Sequence, residues 1–145
     1  MLRPTLQEVQ ALAATADGNT VPVYREVVAD LDTPVSAYLK VREGPYSFLL
    51  ESVDGGERLA RYSFIGTSPY RVIRTGPGYG YEGDPLIPLE AELAQHRAVR
   101  LPGLPTLTGG AVGYVAYDAV RHFELRVARE QEDPLGIPEA MFLLC

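Results

Sequence analysis

The chain has 145 residues, 46% hydrophobic and 22% charged, a composition suited to one globular unit that buries roughly two-thirds of its unfolded surface. Its 13 basic and 19 acidic residues leave a net charge of −6, with no basic cluster; this excludes the concentrated positive patch that nucleic acids and anionic membranes require. No run reaches the ~20 apolar residues of a spanning helix and no basic-then-apolar leader opens the chain. A lone cysteine, Cys145, excludes an internal disulfide and makes a reducing cytoplasm the simplest setting.

The first element is a helix. Thr5-Leu6-Gln7-Glu8 has capping-box spacing, and Leu6, Val9, Leu12, Ala13 and Ala16 trace a stripe ended by Asp17-Gly18-Asn19. Packing on its own domain is the ordinary use of such a stripe; a partner-binding helix is the alternative. Thr20–Val28 is strand-like, with Pro22 confining it to an edge or a strand start. Thr33-Pro34 then opens a second helix, N-cap followed by proline at the first helical position, which runs to Val41 before Glu43-Gly44-Pro45 breaks it.

Ser47–Val53 and Leu59–Ile65 read as two strands of a hairpin around Asp54-Gly55-Gly56. A five-residue loop, Asp54 to Arg58, sets Glu51 against Arg61, Leu50 against Tyr62 and Phe48 against Phe64. An ion pair then lies on one face and aromatic and aliphatic pairs on the other. Ser52 continues the row Phe48, Leu50, Ser52, because alternate residues share a face. It is either the edge of a pocket or a strand-end serine satisfied by backbone or water. Glu51 and Arg61 read as a surface ion pair, worth roughly 0–1 kcal/mol.

Beyond the hairpin, Tyr70–Thr75 is a further strand, and turns at Thr75–Gly78 and Glu82–Pro85 bracket a tyrosine-glycine segment. Pro88–Arg97 reads as a third helix with Leu86, Leu89, Leu93 and Ala94 inward. Leu101–Pro105 is a short connector, better read as an ordered surface loop than as a linker. Gly109–Asp118 alternates like a strand, with Asp118 expected to cap a helical turn through Phe123. Arg126–Asp133 is a charged loop, and Ile137–Cys145 ends on an apolar run that reads as an element cut in the middle. The irregular alternation of helices and hairpin-linked strands predicts an α+β fold with mainly antiparallel sheet.

No constellation identifies a catalyst. Gly109-Gly110-Ala111-Val112-Gly113 lacks the Lys-Ser/Thr of a phosphate loop and precedes a strand, so close backbone approach is the better reading. His96 and His122 lack metal-site spacing and read as solvated helix-end residues. Ser47, Ser52, Ser63 and Ser68 are outside any nucleophile-elbow motif, and Glu51, Asp54 and Glu57 cluster at a turn where acids are ordinary.

Four ordered segments carry a family resemblance: TPVSAYLKV at 33–41, SFLLESVDGGE at 47–57, ARYSFIG at 60–66 and GGAVGYVAYD at 109–118. From about Val21 to Cys145 the chain resembles the N-terminal region of the anthranilate synthase large subunit, component I. Aminodeoxychorismate synthase component I shares much of the pattern. The resemblance implies sheets packed against each other with helices outside, and a single N-terminal region over 1–145 that stops short of the catalytic domain. It also implies a parent enzyme that converts chorismate and ammonia from a glutamine amidotransferase subunit into anthranilate and pyruvate, with Mg²⁺ and chorismate held by the longer C-terminal part.

In that family L-tryptophan inhibits through a site that includes the LLES segment. Here that segment is Leu49-Leu50-Glu51-Ser52, and the resemblance implies a regulatory site of Leu50, Glu51 and Ser52, with Ser52 the foremost contact. A regular strand sends Glu51 and Ser52 to opposite faces, so one of them contributes through its backbone. The alternatives are the corresponding region of an aminodeoxychorismate synthase, a standalone amino-acid-binding module, and a structural domain that only docks a partner.

Overall fold

The computed structural model describes residues 1–51, 62–127 and 133–145. In chain order the elements are α1 (Leu6–Thr15), α2 (Pro34–Val41), β1 (Ser47–Glu51), β2 (Ser63–Thr67), β3 (Arg71–Thr75), α3 (Leu86–Leu93), β4 (Ala111–Val115), a 3-10 turn (Tyr117–Ala119), α4 (Val120–Phe123), a second 3-10 turn (Leu125–Val127) and β5 (Ala140–Leu144). The mixture is α+β, as the pattern predicts. It forms two compact units, one joining Met1–Glu26 to Val72–Leu144, the other holding Val27–Arg71 with Cys145.

The first unit is built on the sheet β3-β5-β4. β4 and β5 pair antiparallel, Ala111 opposite Leu144, Gly113 opposite Phe142 and Val115 opposite Ala140. Alternation puts Ala140, Phe142 and Leu144 on one side of β5, where they meet Ile73, with Leu89 and Ala111 packed on the cluster. Gly113 is required here. A β-carbon on it would run into the backbone carbonyl of Met141, so the close-approach reading of this glycine holds.

α1 starts with the expected capping box. The Thr5 N–H donates to the Glu8 carboxylate at 2.7 Å and the Glu8 N–H donates to the Thr5 hydroxyl at 3.4 Å. The Thr5 N–H, joined by the Thr5 hydroxyl donating at 2.9 Å, holds the Glu8 carboxyl below its ordinary pKa. Its stripe is shallower than expected, since no residue of the helix is buried. The strand expected over Thr20–Val28 does not form. Two isolated bridges, Thr20 with Ala98 and Arg3 with Tyr24, stand in its place on either side of Pro22, which has no N–H to continue a ladder.

α3 corrects the expected helix at both ends. It begins at Leu86, whose N–H is taken by the Asp84 carboxylate at 2.9 Å. It finishes at Leu93 because the following bonds, Gln95 N–H to Glu92 and His96 N–H to Leu93, close three-residue turns. Leu86 and Leu93 stay 43% and 39% exposed while Glu92 is buried, so the inward side is set by Leu89 and Glu92 rather than by the leucine row. Asp118 is a second correction. It lies inside the 3-10 turn and caps neither that turn nor α4; the turn is anchored instead by the Ala116 N–H donating to the Glu139 carbonyl at 2.8 Å.

In the second unit α2 spans Pro34–Val41 as expected, with Pro34 at its start. Thr33 and Ser36 cap each other reciprocally, the Ser36 N–H donating to the Thr33 hydroxyl at 3.1 Å and the Thr33 N–H to the Ser36 hydroxyl at 2.9 Å. The helix packs on the antiparallel pair β1-β2. The pairing differs from the predicted register by two residues: Phe48 faces Gly66, Leu50 faces Phe64 and Glu51 faces Ser63. A two-residue shift keeps every side chain on its expected face, since faces alternate with period 2. Its physical reason is Gly66, buried and without a side chain, which gives the Phe48 ring room that Phe64 would have denied it. The predicted turn at Asp54–Arg58 and the Arg61 side of the ion pair fall outside the described residues.

Candidate functional site

The site expected from the sequence lies on the β1-β2 pair, and the pairing decides which side chains share a face. Phe48, Leu50, Phe64 and Gly66 lie on one face; Ser47, Leu49, Glu51, Ser63, Ile65 and Thr67 lie on the other. α2 covers the second face. The Tyr38 and Ser47 hydroxyls are 2.8 Å apart, and the Glu43 N–H, just past the helix, donates to the Thr67 hydroxyl at 2.9 Å. The first face keeps an apolar surface, on which Leu50 is 43% exposed and Tyr62, two residues before Phe64, is 46% exposed. The Tyr62 and Phe64 rings stand 6.1 Å apart at a 38° tilt, a contact typical of aromatic pairs.

Of the three expected site residues, Leu50 takes its place on this open apolar face. Glu51 does not join it, because its side chain belongs to the α2 face at the end of β1. Ser52 lies outside the described residues. The arrangement gives a wall for an apolar ring, with polar partners to come from backbone at the end of β1 or from elsewhere.

Sequence reasoning missed two features. The first is the seating of Phe48 on Gly66: a β-carbon added to Gly66 would occupy the space of the Phe48 ring edge. The signal was present, a glycine within a strand with an aromatic opposite, but only the correct register reveals it. The second is Glu139, at the entrance to β5 in the first unit. Its N–H donates to the Thr75 carbonyl at 2.8 Å. Its side chain is 5% exposed, with His122 Nε2 at 2.9 Å from Oε2 and Arg121 Nη2 at 3.0 Å from Oε1. Among the described residues Oε1 has no directed hydrogen bond, so the arginine contact is ionic in character. His122 is therefore held against a buried carboxylate rather than solvated as expected, and nothing in a 17-residue separation could have signalled it.

Glu139 and Arg121 border a cavity of about 530 Å³ shared with Tyr117, Asp118, Arg126 and Asp133. A more open groove of about 460 Å³ lies between α1 and the Leu101-Pro102 bend. Two tyrosines tie down the chain entering β5. The Tyr79 hydroxyl donates to the Gly136 carbonyl at 2.7 Å and the Tyr114 hydroxyl to the Pro138 carbonyl at 3.0 Å. Desolvation, with a smaller contribution from Tyr79, pushes the Tyr114 pKa up. Among the described residues no group of three or more His, Cys, Asp or Glu side chains is placed to hold a metal ion, and no helix is long and apolar enough to cross a membrane.

No family model matches the chain. Individual relatives do. A probable anthranilate synthase component 1 of Schizosaccharomyces pombe is 47% identical over 142 residues, covering 97% of this chain and 28% of the relative. Anthranilate synthase component 1 of Acetivibrio thermocellus is 40% identical over 154 residues, 99% of this chain and 31% of the relative. The Saccharomyces cerevisiae protein of the same name is 42% identical over 153 residues, 99% of this chain and 30% of the relative. The chain thus spans less than a third of the length of these relatives. Over nearly all of its own length, it is homologous to anthranilate synthase component 1.

Proposed function

We propose that this chain is the N-terminal, tryptophan-sensing portion of an anthranilate synthase large subunit in tryptophan biosynthesis. The observation that carries the reading is 40–47% identity to proteins of that name along 97–99% of the chain. The open apolar face of the β1-β2 hairpin supports the regulatory part of it. L-Tryptophan brings an indole that suits the wall of Leu50, Tyr62 and Phe64, an ammonium that needs acceptors and a carboxylate that needs donors. In this reading Ser52 supplies a hydroxyl and Glu51 contributes through its backbone.

The whole enzyme, in this reading, takes ammonia from a glutamine amidotransferase, component II, and converts chorismate to anthranilate and pyruvate. Chorismate and Mg²⁺ belong to the part of the family's length that this chain does not span. The chain's own role is to couple tryptophan binding to the rate of that reaction.

The test uses the full-length gene product assembled with its amidotransferase, following anthranilate fluorescence with and without L-tryptophan. The expected result is anthranilate formation inhibited by tryptophan, with Ser52→Ala raising the half-inhibiting concentration at least tenfold while turnover stays near that of the parent. Formation of 4-amino-4-deoxychorismate in place of anthranilate overturns the assignment. Unchanged inhibition in a folded Ser52→Ala enzyme removes Ser52 from the site.

A further inference from the structure

The open face of the hairpin is shaped by a residue that contributes no side chain to it. Gly66 is buried in β2 directly opposite Phe48, and an added β-carbon would meet three atoms of the Phe48 ring. Its φ is not in the left-handed region, whereas those of eight other described glycines are. Backbone freedom is therefore not what this position needs. It needs an empty volume. The cross-strand neighbours Leu50 and Phe64 share the face with Phe48, so a ring forced off Gly66 has to move outward or along that same face. The opposite face is occupied by α2.

We infer that Gly66 and Phe48 form a positioning pair for the effector site: the ring seated on the glycine is the floor of the apolar wall, and its height above the sheet sets how deeply an indole can sit beside Leu50 and Phe64. The inference rests on the tryptophan-sensing reading proposed above and adds to it a specific determinant of response. A one-carbon change at Gly66 raises the floor. Shortening Phe48 restores the space.

The experiment is a double-mutant cycle in the full-length enzyme, reading the L-tryptophan concentration for half-inhibition alongside kcat and KM for chorismate. Gly66→Ala is expected to raise the half-inhibiting concentration at least tenfold with kcat and KM within about twofold of the parent. Phe48→Leu alone is expected to shift it two- to fivefold. In the double variant, Gly66→Ala on top of Phe48→Leu is expected to add less than twofold. Parent-like inhibition in Gly66→Ala overturns the inference, as does an equal loss from Gly66→Ala in both backgrounds. If Gly66→Ala alone yields no folded enzyme, the comparison of Phe48→Leu with the double variant still decides, because only a ring-mediated effect vanishes when the ring is gone. A parent enzyme that L-tryptophan fails to inhibit overturns the sensing reading itself, and the inference with it.

Discussion

β5 and the β1-β2 hairpin are built from strands of the same length, five residues each, yet they are buried very differently. β5 is the middle strand of its sheet, and Ala140, Phe142, Leu143 and Leu144 are all buried. In the hairpin Gly66 is the one buried residue of the ten in β1 and β2, and Leu50 remains 43% exposed. The contrast separates two uses of apolar sequence. Residues on β5 hold a core together, where any gap or overlap is costly. Residues on the open hairpin face are available to a ligand, at the expense of local stability.

The contrast predicts where substitutions hurt folding and where they spare it. The largest loss belongs to Gly113→Ala, which drives a side chain into the β5 backbone at Met141. A cost of about 3 kcal/mol or more is expected, read as a lower denaturant midpoint. Glu139→Gln comes next. It leaves Arg121 and His122 without their carboxylate, and a loss of about 1–3 kcal/mol is expected, moderated because Arg121 is partly exposed. Leu50→Ser, on the open face, should cost under about 1 kcal/mol, in keeping with its exposure. A Leu50→Ser variant as damaged as Gly113→Ala would erase the distinction between the two regions.

Smaller effects sharpen the picture around the hairpin. Thr33→Ala removes the hydroxyl that receives the Ser36 N–H and should cost about 1 kcal/mol, seen as faster hydrogen exchange in α2. Asp32 gives a pH effect of known sign. Lys40 at 2.6 Å and the Ser36 hydroxyl at 2.9 Å hold its carboxyl below the ordinary value. A depressed folded-state pKa contributes stability that is present above the unfolded value, about 4, and disappears as pH falls through the lower folded value. Protection factors of amides at the start of α2, with each rate referred to its intrinsic value at that pH, should therefore fall on acidification through that window, and Asp32→Asn should abolish the dependence.

Legibility in the sequence followed the range of the interaction. Both helix starts were readable because a cap and its partner lie three residues apart, Thr5 with Glu8 and Thr33 with Ser36. The hairpin's two faces were readable from alternation, but its register was not: assuming a five-residue loop gave pairs two residues out, and the steric preference of Phe48 for Gly66 outweighed the aromatic pairing with Phe64. α3 was displaced because Asp84 captured the Leu86 N–H and the last turn tightened, neither of which hydrophobic spacing records. The Glu139 cluster was invisible, since Arg121, His122 and Glu139 come together only when β5 returns beside the end of β4. For the candidate site, the row leading from Phe48 through Leu50 was legible; the glycine that shapes it was not.

Tryptophan sensing, as proposed, belongs to the hairpin and not to the β3-β5-β4 core. Hydrogen–deuterium exchange of the full-length enzyme, with and without saturating L-tryptophan, tests it most directly. Slower exchange is expected in 47–51 and 63–67 when tryptophan is bound, with 111–115 and 140–144 unchanged. Protection confined to the β4-β5 strands, or no change in the hairpin while tryptophan inhibits the enzyme, would contradict it.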